Sequence, residues 1–293
     1  MIYWGTCSWK YNSWYGLVYS QPKTNNHLKE YVQHFNSVEV DQWFWSLFGI
    51  DKVKLPSPKT VEEYAQAVKG HPDFKFSVKV PNSITLTHFY RKNKAEPLRA
   101  NPYFLSEQLF LDFLHLLEPL WPNLGPLMFQ FEYLNIMKMS GLPRFLDMMG
   151  SFLEKLPKEF QYGIEIRNPN YLRSEFFRFL RDHSVSMVFL EGYYMPPIAE
   201  VYRKIRQTTS NIREIFHSPV VFRLHGPSRD DIEVISGEIW NKIYVPQDDS
   251  LQSISQIIRE LLEADIEVYV NANNHYEGSA PLTISRLKEL LQA

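Results

Sequence analysis

Apolar and polar residues alternate along much of this chain, and six of the alternating runs end in the same way. They are Val38-Glu39-Val40-Asp41, Phe76-Ser77-Val78-Lys79, Phe129-Gln130-Phe131-Glu132, Ile164-Glu165-Ile166-Arg167, Phe222-Arg223-Leu224-His225 and Tyr269-Val270-Asn271-Ala272-Asn273. Successive side chains of a strand point to opposite faces, so the two polar residues of each run share a face and the intervening apolar residue takes the other. Strands are predicted at Ile2–Thr6, Ser37–Asp41, Phe74–Val80, Pro126–Glu132, Tyr162–Arg167, Val185–Glu191, Pro219–His225 and Ile266–Asn271. Between them the apolar spacing changes to three and four, as in Phe110-Phe113-Leu114-Leu117, Phe145-Met148-Met149-Phe152 and Ile254-Ile257-Ile258-Leu261, which predicts helices.

Strand alternating with helix predicts a parallel sheet, and eight such units closing on a helix at Thr283–Leu291 predict an α/β fold of the TIM-type (β/α)8 barrel class. A distorted or seven-stranded barrel is the alternative. No linker or low-complexity tract divides the chain, so a single domain is expected over residues 1–293. The connections after the third and sixth predicted strands, Pro81–Asn123 and Glu191–Ser218, are long and are candidate lids. The first carries Lys92, Lys94 and Arg99, the second Tyr193, Tyr194 and the basic stretch Arg203-Lys204-Arg206.

Composition narrows the partners. The formal charge of -2 supplies no global field for a polyanion or an anionic membrane, so nucleic acid would need a local basic patch. Cys7 is the only cysteine, which excludes an internal disulfide and a thiolate-rich metal cluster within one chain. No leader and no apolar run of membrane-spanning length is apparent, so a cytoplasmic protein without membrane contact is expected. The oligomeric state is open.

Active sites of such barrels sit at the C-terminal ends of the strands, where the polar pairs fall. Glu39 and Glu165 are the expected acid–base carboxylates, with His225 as proton shuttle and Lys79 as an anion partner or, less simply, an amine nucleophile. Asp41, Arg167, Arg223, Gln130 and Glu132 are expected to bind substrate, as are Trp9 and Trp14 of the first loop. Asn273 and Asn274, between the last strand and the last helix, complete an expected anion quadrant with Arg223 and His225. The opposing reading is that Glu39, Glu165, Arg167 and Arg223 form a salt-bridged layer plugging the barrel. Phe44 and Trp45 are expected in the core, and Cys7 is expected to be a buried, inert thiol. No cofactor is predicted, because no His-x-His or His-Glu-x-x-His spacing occurs, although carboxylates leave a divalent metal open.

The motifs Gly5-Thr6-Cys7-Ser8-Trp9, Val38-Glu39-Val40-Asp41, Lys79-Val80-Pro81, Gln130-Phe131, Glu165-Ile166-Arg167-Asn168, Arg223-Leu224-His225-Gly226 and Asn273-Asn274-His275 occur in the order found in the YecE-like family. The chain resembles that family, also called domain of unknown function 72, over nearly its whole length. The resemblance implies a TIM-type barrel and carries no established reaction. Asp41 stands where Asn is common in the family, and Glu132-Tyr133 where a Pro pair often follows, so the site is expected to be more acidic than usual. Three functions are then expected as alternatives: an enzyme, with a hydrolase as one option, using acid–base chemistry on a small anionic or sugar-like molecule; a non-catalytic nucleic-acid or ligand-binding protein; or a metal-dependent phosphodiesterase or endonuclease-like enzyme.

Overall fold

A computed structural model describes residues 1–292 apart from 22–25, 50–51, 92, 94, 210 and 217–218. Ten strands are present among these: β1 (Ile2–Thr6), β2 (Ser37–Val40), β3 (Leu47–Gly49), β4 (Lys52–Val53), β5 (Lys75–Lys79), β6 (Leu124–Gln130), β7 (Tyr162–Glu165), β8 (Ser186–Gly192), β9 (Val220–Gly226) and β10 (Val268–Ala272). Eight form one sheet in the order β1-β10-β9-β8-β7-β6-β5-β2, each pair parallel, with helices between consecutive strands. This is the (β/α)8 barrel, and all eight expected strands are in it. The antiparallel hairpin of β3 and β4 lies in the loop after β2.

The seam between β1 and β2 is closed differently from the rest. Only Cys7 and Glu39 form a bridge there, with Ser8 N donating to Glu39 O at 3.1 Å. Side chains do the remaining stitching. Asn36 accepts from Trp4 N at 2.6 Å and donates to Ile2 O at 3.0 Å, while the Tyr31 hydroxyl accepts from Thr6 N and donates to Ser37 O, each at 3.0 Å. The approach needs Gly5, because a Cβ at that position would stand 2.8 Å from Ser37 O.

Alternation along each strand sorts the core into two parts. Val38, Val40, Phe76, Val78, Phe129, Ile164, Phe222, Leu224 and Val270 face outwards into one large apolar cluster with the helices. Tyr3, Met128, Val188, Val221 and Tyr269 form a separate cluster within the barrel, with the Tyr3 and Tyr269 rings stacked at 4.4 Å. Helices cover the sheet where the spacing predicted them, for example Glu107–Leu116, Leu142–Leu153, Ser174–Asp182 and Asp248–Glu263. Ser57 and Ser106 cap their helices by accepting from Thr60 N and Leu109 N.

The two long connections are partly ordered by helices of their own, Asn82–Thr85 and Glu107–Leu116 in the first and Ile198–Arg206 in the second. Lys92 and Lys94 lie outside the described residues. The basic stretch at 203–206 is a helix end in which Lys204 pairs with Glu200 and Arg206 with Glu260, each at 2.9 Å, so Arg203 alone does not make an open basic strip.

Candidate functional site

The six polar pairs all enter the barrel and separate by depth. The first member of each is buried: Glu39 and Ser77 at 0%, Gln130 at 7%, Glu165 and Arg223 at 1% and Asn271 at 0% exposure. Of the second members, Asp41, Lys79, Glu132, Arg167 and Asn273 are partly exposed, and only His225 is buried. The pairs therefore build a lower layer above the apolar barrel cluster and an upper ring at the mouth.

Arg223 organises the lower layer. Its Nε and Nη2 each donate to a different oxygen of Glu39 at 2.7 Å, and its Nη1 donates to Gln130 Oε1 at 3.1 Å and to Glu165. Arg167 closes the second oxygen of Glu165 from above through its Nε at 3.1 Å. Burial alone would push the Glu165 carboxyl up, but Arg223, Arg167 and Lys79 together hold it below the usual carboxylate range. A buried charge persists when paired and hydrogen-bonded, and this layer meets that condition. The expectation of a salt-bridged plug thus describes the lower layer. Glu39 and Glu165, named from sequence as acid and base, are both bonded to Arg223. Arg223 in turn commits all three of its nitrogens to Glu39, Glu165 and Gln130.

The upper ring is differently served. Lys79 Nζ lies 4.0 Å from the centre of the Phe44 ring, with no hydrogen-bond or ion-pair partner among the described residues. Burial, then the Arg223 charge, lower its pKa from the lysine range, against the pull of Glu39, Glu165 and Asp41. Arg167 spends its Nε on Glu165 and lays its guanidinium carbon 4.9 Å from the Tyr193 ring centre, leaving its two terminal nitrogens without a protein acceptor among the described residues. Burial and Glu39 raise the Asp41 carboxyl. Burial, with Arg223, Arg167 and Lys79 adding to it, drives His225 well below the ordinary histidine range, so the imidazole is neutral. Its Nδ1 meets the Tyr193 hydroxyl at 3.0 Å and its Nε2 lies 3.7 Å from Cys7 Sγ. Burial and Glu39 keep the Cys7 thiol protonated.

Tyr193 was visible in the sequence only as one aromatic of a long loop. Gly192, Tyr193 and Tyr194 have φ of 120°, 52° and 64°, and a left-handed non-glycine residue costs about 1–2 kcal/mol. That backbone cost is associated with placing the Tyr193 ring over both Arg167 and His225. A Cβ at Gly192 would meet Gly226 O at 2.1 Å, and one at Gly226 would meet His275 O at 2.4 Å, so the ends of β8 and β9 and the loop after β10 touch backbone to backbone.

Other expected site residues are placed elsewhere. Trp9 and Trp14 are packed in the core at 1% and 0% exposure, Trp14 donating to Asn274 Oδ1 at 3.3 Å. Asn274 accepts from Trp14 and from Ala280 N through Oδ1, its Nδ2 being buried with no partner among the described residues, and Asn273 caps the short helix Asn274–Glu277 by accepting from His275 N. In the quadrant expected around Arg223 and Asn273, Arg223 is bonded to carboxylates and Asn274 Nδ2 keeps an open donor, while, among the described residues, further open donors lie at Lys79 and at the terminal nitrogens of Arg167. Glu132 is bonded to Lys138 at 2.6 Å. Phe44 is buried as expected, whereas Trp45 is 61% exposed at the rim because β2 ends before it and its loop turns outwards.

One group among the described residues has the composition of a metal site: Cys7, Glu39 and His225, with ligand atoms within 4.8 Å of one another. The donor set fits a cation poorly. Both Glu39 oxygens are bonded to Arg223, the thiol holds its proton, and Lys79 and Arg167 add positive charge nearby.

The architecture is that of a (β/α)8-barrel protein with a paired charged layer beneath a polar mouth. The family model described as "Protein of unknown function DUF72" matches residues 3–293, and the chain belongs to that family. It is 28% identical over 171 residues to the UPF0759 protein YecE of Escherichia coli K12, an overlap of 58% of this chain and 50% of that protein. The chain thus matches about half the length of this curated relative. Crystal structures of DUF72 family proteins from Thermotoga maritima MSB8 (23% identity, 100% of both chains) and Enterococcus faecalis V583 (19% identity, 100% of this chain and 96% of that one) superpose with TM-scores of 0.66. Those two likenesses show the fold. Among the described residues no helix is long and apolar enough to cross a membrane.

Proposed function

We propose that this protein is an enzyme that takes a small anionic, hydroxyl-bearing molecule at the barrel mouth and moves a proton on it. The observation that carries this reading is the half-buried Lys79 amine, without an acceptor among the described residues, beside the open end of Arg167. A cation withdrawn from water normally has a partner, and an anionic ligand supplies one to both groups. Asp41, raised towards neutrality, and neutral His225, coupled to Tyr193, are the groups suited to exchange the proton. Glu39 and Glu165 support this chemistry indirectly, by fixing Arg223 and orienting Arg167.

Calorimetry with inorganic phosphate and acetate tests the binding step. Lys79→Met should weaken the preferred anion about tenfold or more, as expected for one charge-assisted contact, while leaving the fold in place. Anion binding that is absent, or unchanged in Lys79→Met, refutes the reading.

A second reading, a nucleic-acid-binding protein, is favoured by one observation. Trp45, Tyr90 and Tyr194 are 61%, 55% and 99% exposed on mouth loops, as stacking platforms would be. Steeply salt-dependent binding of a single-stranded oligonucleotide that survives Lys79→Met and is lost in Trp45→Ala would favour it.

A further inference from the structure

We propose that the groove beside Tyr193 is a subsite for the apolar part of the same ligand, so that the molecule bound is an anion carrying an aromatic or short aliphatic group. This rests on the anion site proposed at Lys79 and Arg167 and names the class of molecule that site takes.

The groove holds about 350 Å³ and is walled by Tyr193, Tyr194, Met195, Pro197, Pro227 and Tyr276. It opens beside the polar mouth, because Tyr193 also touches His225 and Arg167, and Gly226 of the groove directly follows His225. The Tyr193 ring is therefore the partition between a charged compartment and an apolar one. Three successive left-handed residues, Gly192 to Tyr194, hold that partition in place. Beyond it, Pro227, Gln247 and Tyr276 also wall a second groove of about 430 Å³ whose far side is Ile232, Ile235 and Val245. The two grooves meet at Pro227, Gln247 and Tyr276, and the second also has Asp231 and His275 in its wall.

The polar groups of the groove beside Tyr193 are largely engaged, whereas in the second groove His275 Nδ1 is buried without a partner among the described residues. Glu191 Oε2 accepts from Ile198 N at 2.7 Å, at the start of the helix Ile198–Arg206. Gln247 N donates to Glu277 at 2.8 Å, and its side-chain amide donates to Val245 O at 3.4 Å. A hydroxyl-rich extension would find few partners here, whereas a ring or short chain would lose water contact on most sides.

Calorimetry compares inorganic phosphate with phenyl phosphate and 1-naphthyl phosphate, and acetate with phenylacetate. In the wild type the ring-bearing member of the preferred series should bind about tenfold or more tighter than its parent anion. Gln247→Trp fills the wall shared by both grooves at a position that makes no side-chain cap for the following helix. It should erase the ring's advantage and leave the parent anion unchanged. Tyr194→Gly removes an exposed wall and relieves a left-handed residue, so it should fold and reduce the same advantage several-fold. Equal affinities in the wild type, or an advantage that survives both substitutions, overturn the subsite. A parent anion that fails to bind in a Lys79-dependent way overturns the proposed function instead.

Discussion

Replacing Arg223 by Met tests the division of the barrel interior into a structural layer and a working ring. The substitution keeps an unbranched chain but removes the cation from between two buried carboxylates. Glu165 retains Arg167 at 3.1 Å, whereas the nearest remaining side-chain contact of Glu39 is the Cys7 thiol at 3.6 Å. Most of the penalty therefore falls on Glu39, a residue with 0% exposure. Breaking a buried pair by removing one partner costs about 3–5 kcal/mol, a large share of a typical total of about 5–15 kcal/mol. An uncompensated Glu39 escapes by binding a proton, so its carboxyl in the folded variant rises above the unfolded value. The folded variant then loses stability as pH rises through the interval between those values. In the wild type Glu165 has the opposite sign: its folded pKa is lowered, and its contribution is lost as pH falls through the acid range. The gap between variant and wild type should thus be widest near pH 7.5 and narrower at pH 5. Urea midpoints at the two pH values, with m-values checked for constancy, measure it. Adding Glu39→Gln to Arg223→Met should recover part of the loss by removing the stranded charge. A cost below about 1 kcal/mol, a gap independent of pH, or further loss in the double variant would refute the plug assignment.

Three other outcomes follow from the same geometry. His225 is held neutral by burial and neighbouring cations, so below about pH 6.5 the unfolded chain gains a proton that the folded one refuses; stability falls there by at most about 1.4 kcal/mol per pH unit, and thermal melts of His225→Gln between pH 7.5 and 5.5 should show a shallower decline. Asn36→Ala strands Trp4 N and Ile2 O at the β1–β2 seam and should cost about 1–3 kcal/mol, with faster amide exchange at Trp4; unchanged exchange would contradict the stitching role. Gly226→Ala places a Cβ 2.4 Å from His275 O at a φ of 81° and should cost about 2–5 kcal/mol, whereas Gly237→Ala, at a φ of 58° with nothing within 4 Å, should cost only about 1–2 kcal/mol, so equal melting temperatures would sink the argument from close approach.

The barrel was legible because alternation and helical spacing are local properties. A run such as Phe222-Arg223-Leu224-His225 declares by itself which residues share a face. Two kinds of residue escaped that logic. Trp9, Trp14 and Trp45 are all aromatic residues near strand ends, and whether each turns in or out depends on loop paths that composition does not encode. Tyr193 escaped because its position comes from a left-handed backbone, which Gly192 only hints at.

The chain's own pattern of alternation determined the eight strands, the inward face of each polar pair and the end of the barrel where they gather. Depth was decided only by the closed sheet. Glu39, Glu165 and Arg223 belong to strands far apart in sequence, and their pairing exists because barrel closure brings β2, β7 and β9 to one level. One residue higher on the same faces, the strands diverge into loops and water enters, so the Lys79 amine and both terminal nitrogens of Arg167 keep open donors while Arg223 commits all three of its nitrogens to buried partners. The same six pairs thus supply both a plug and a mouth, and solvent access at each level separates the two.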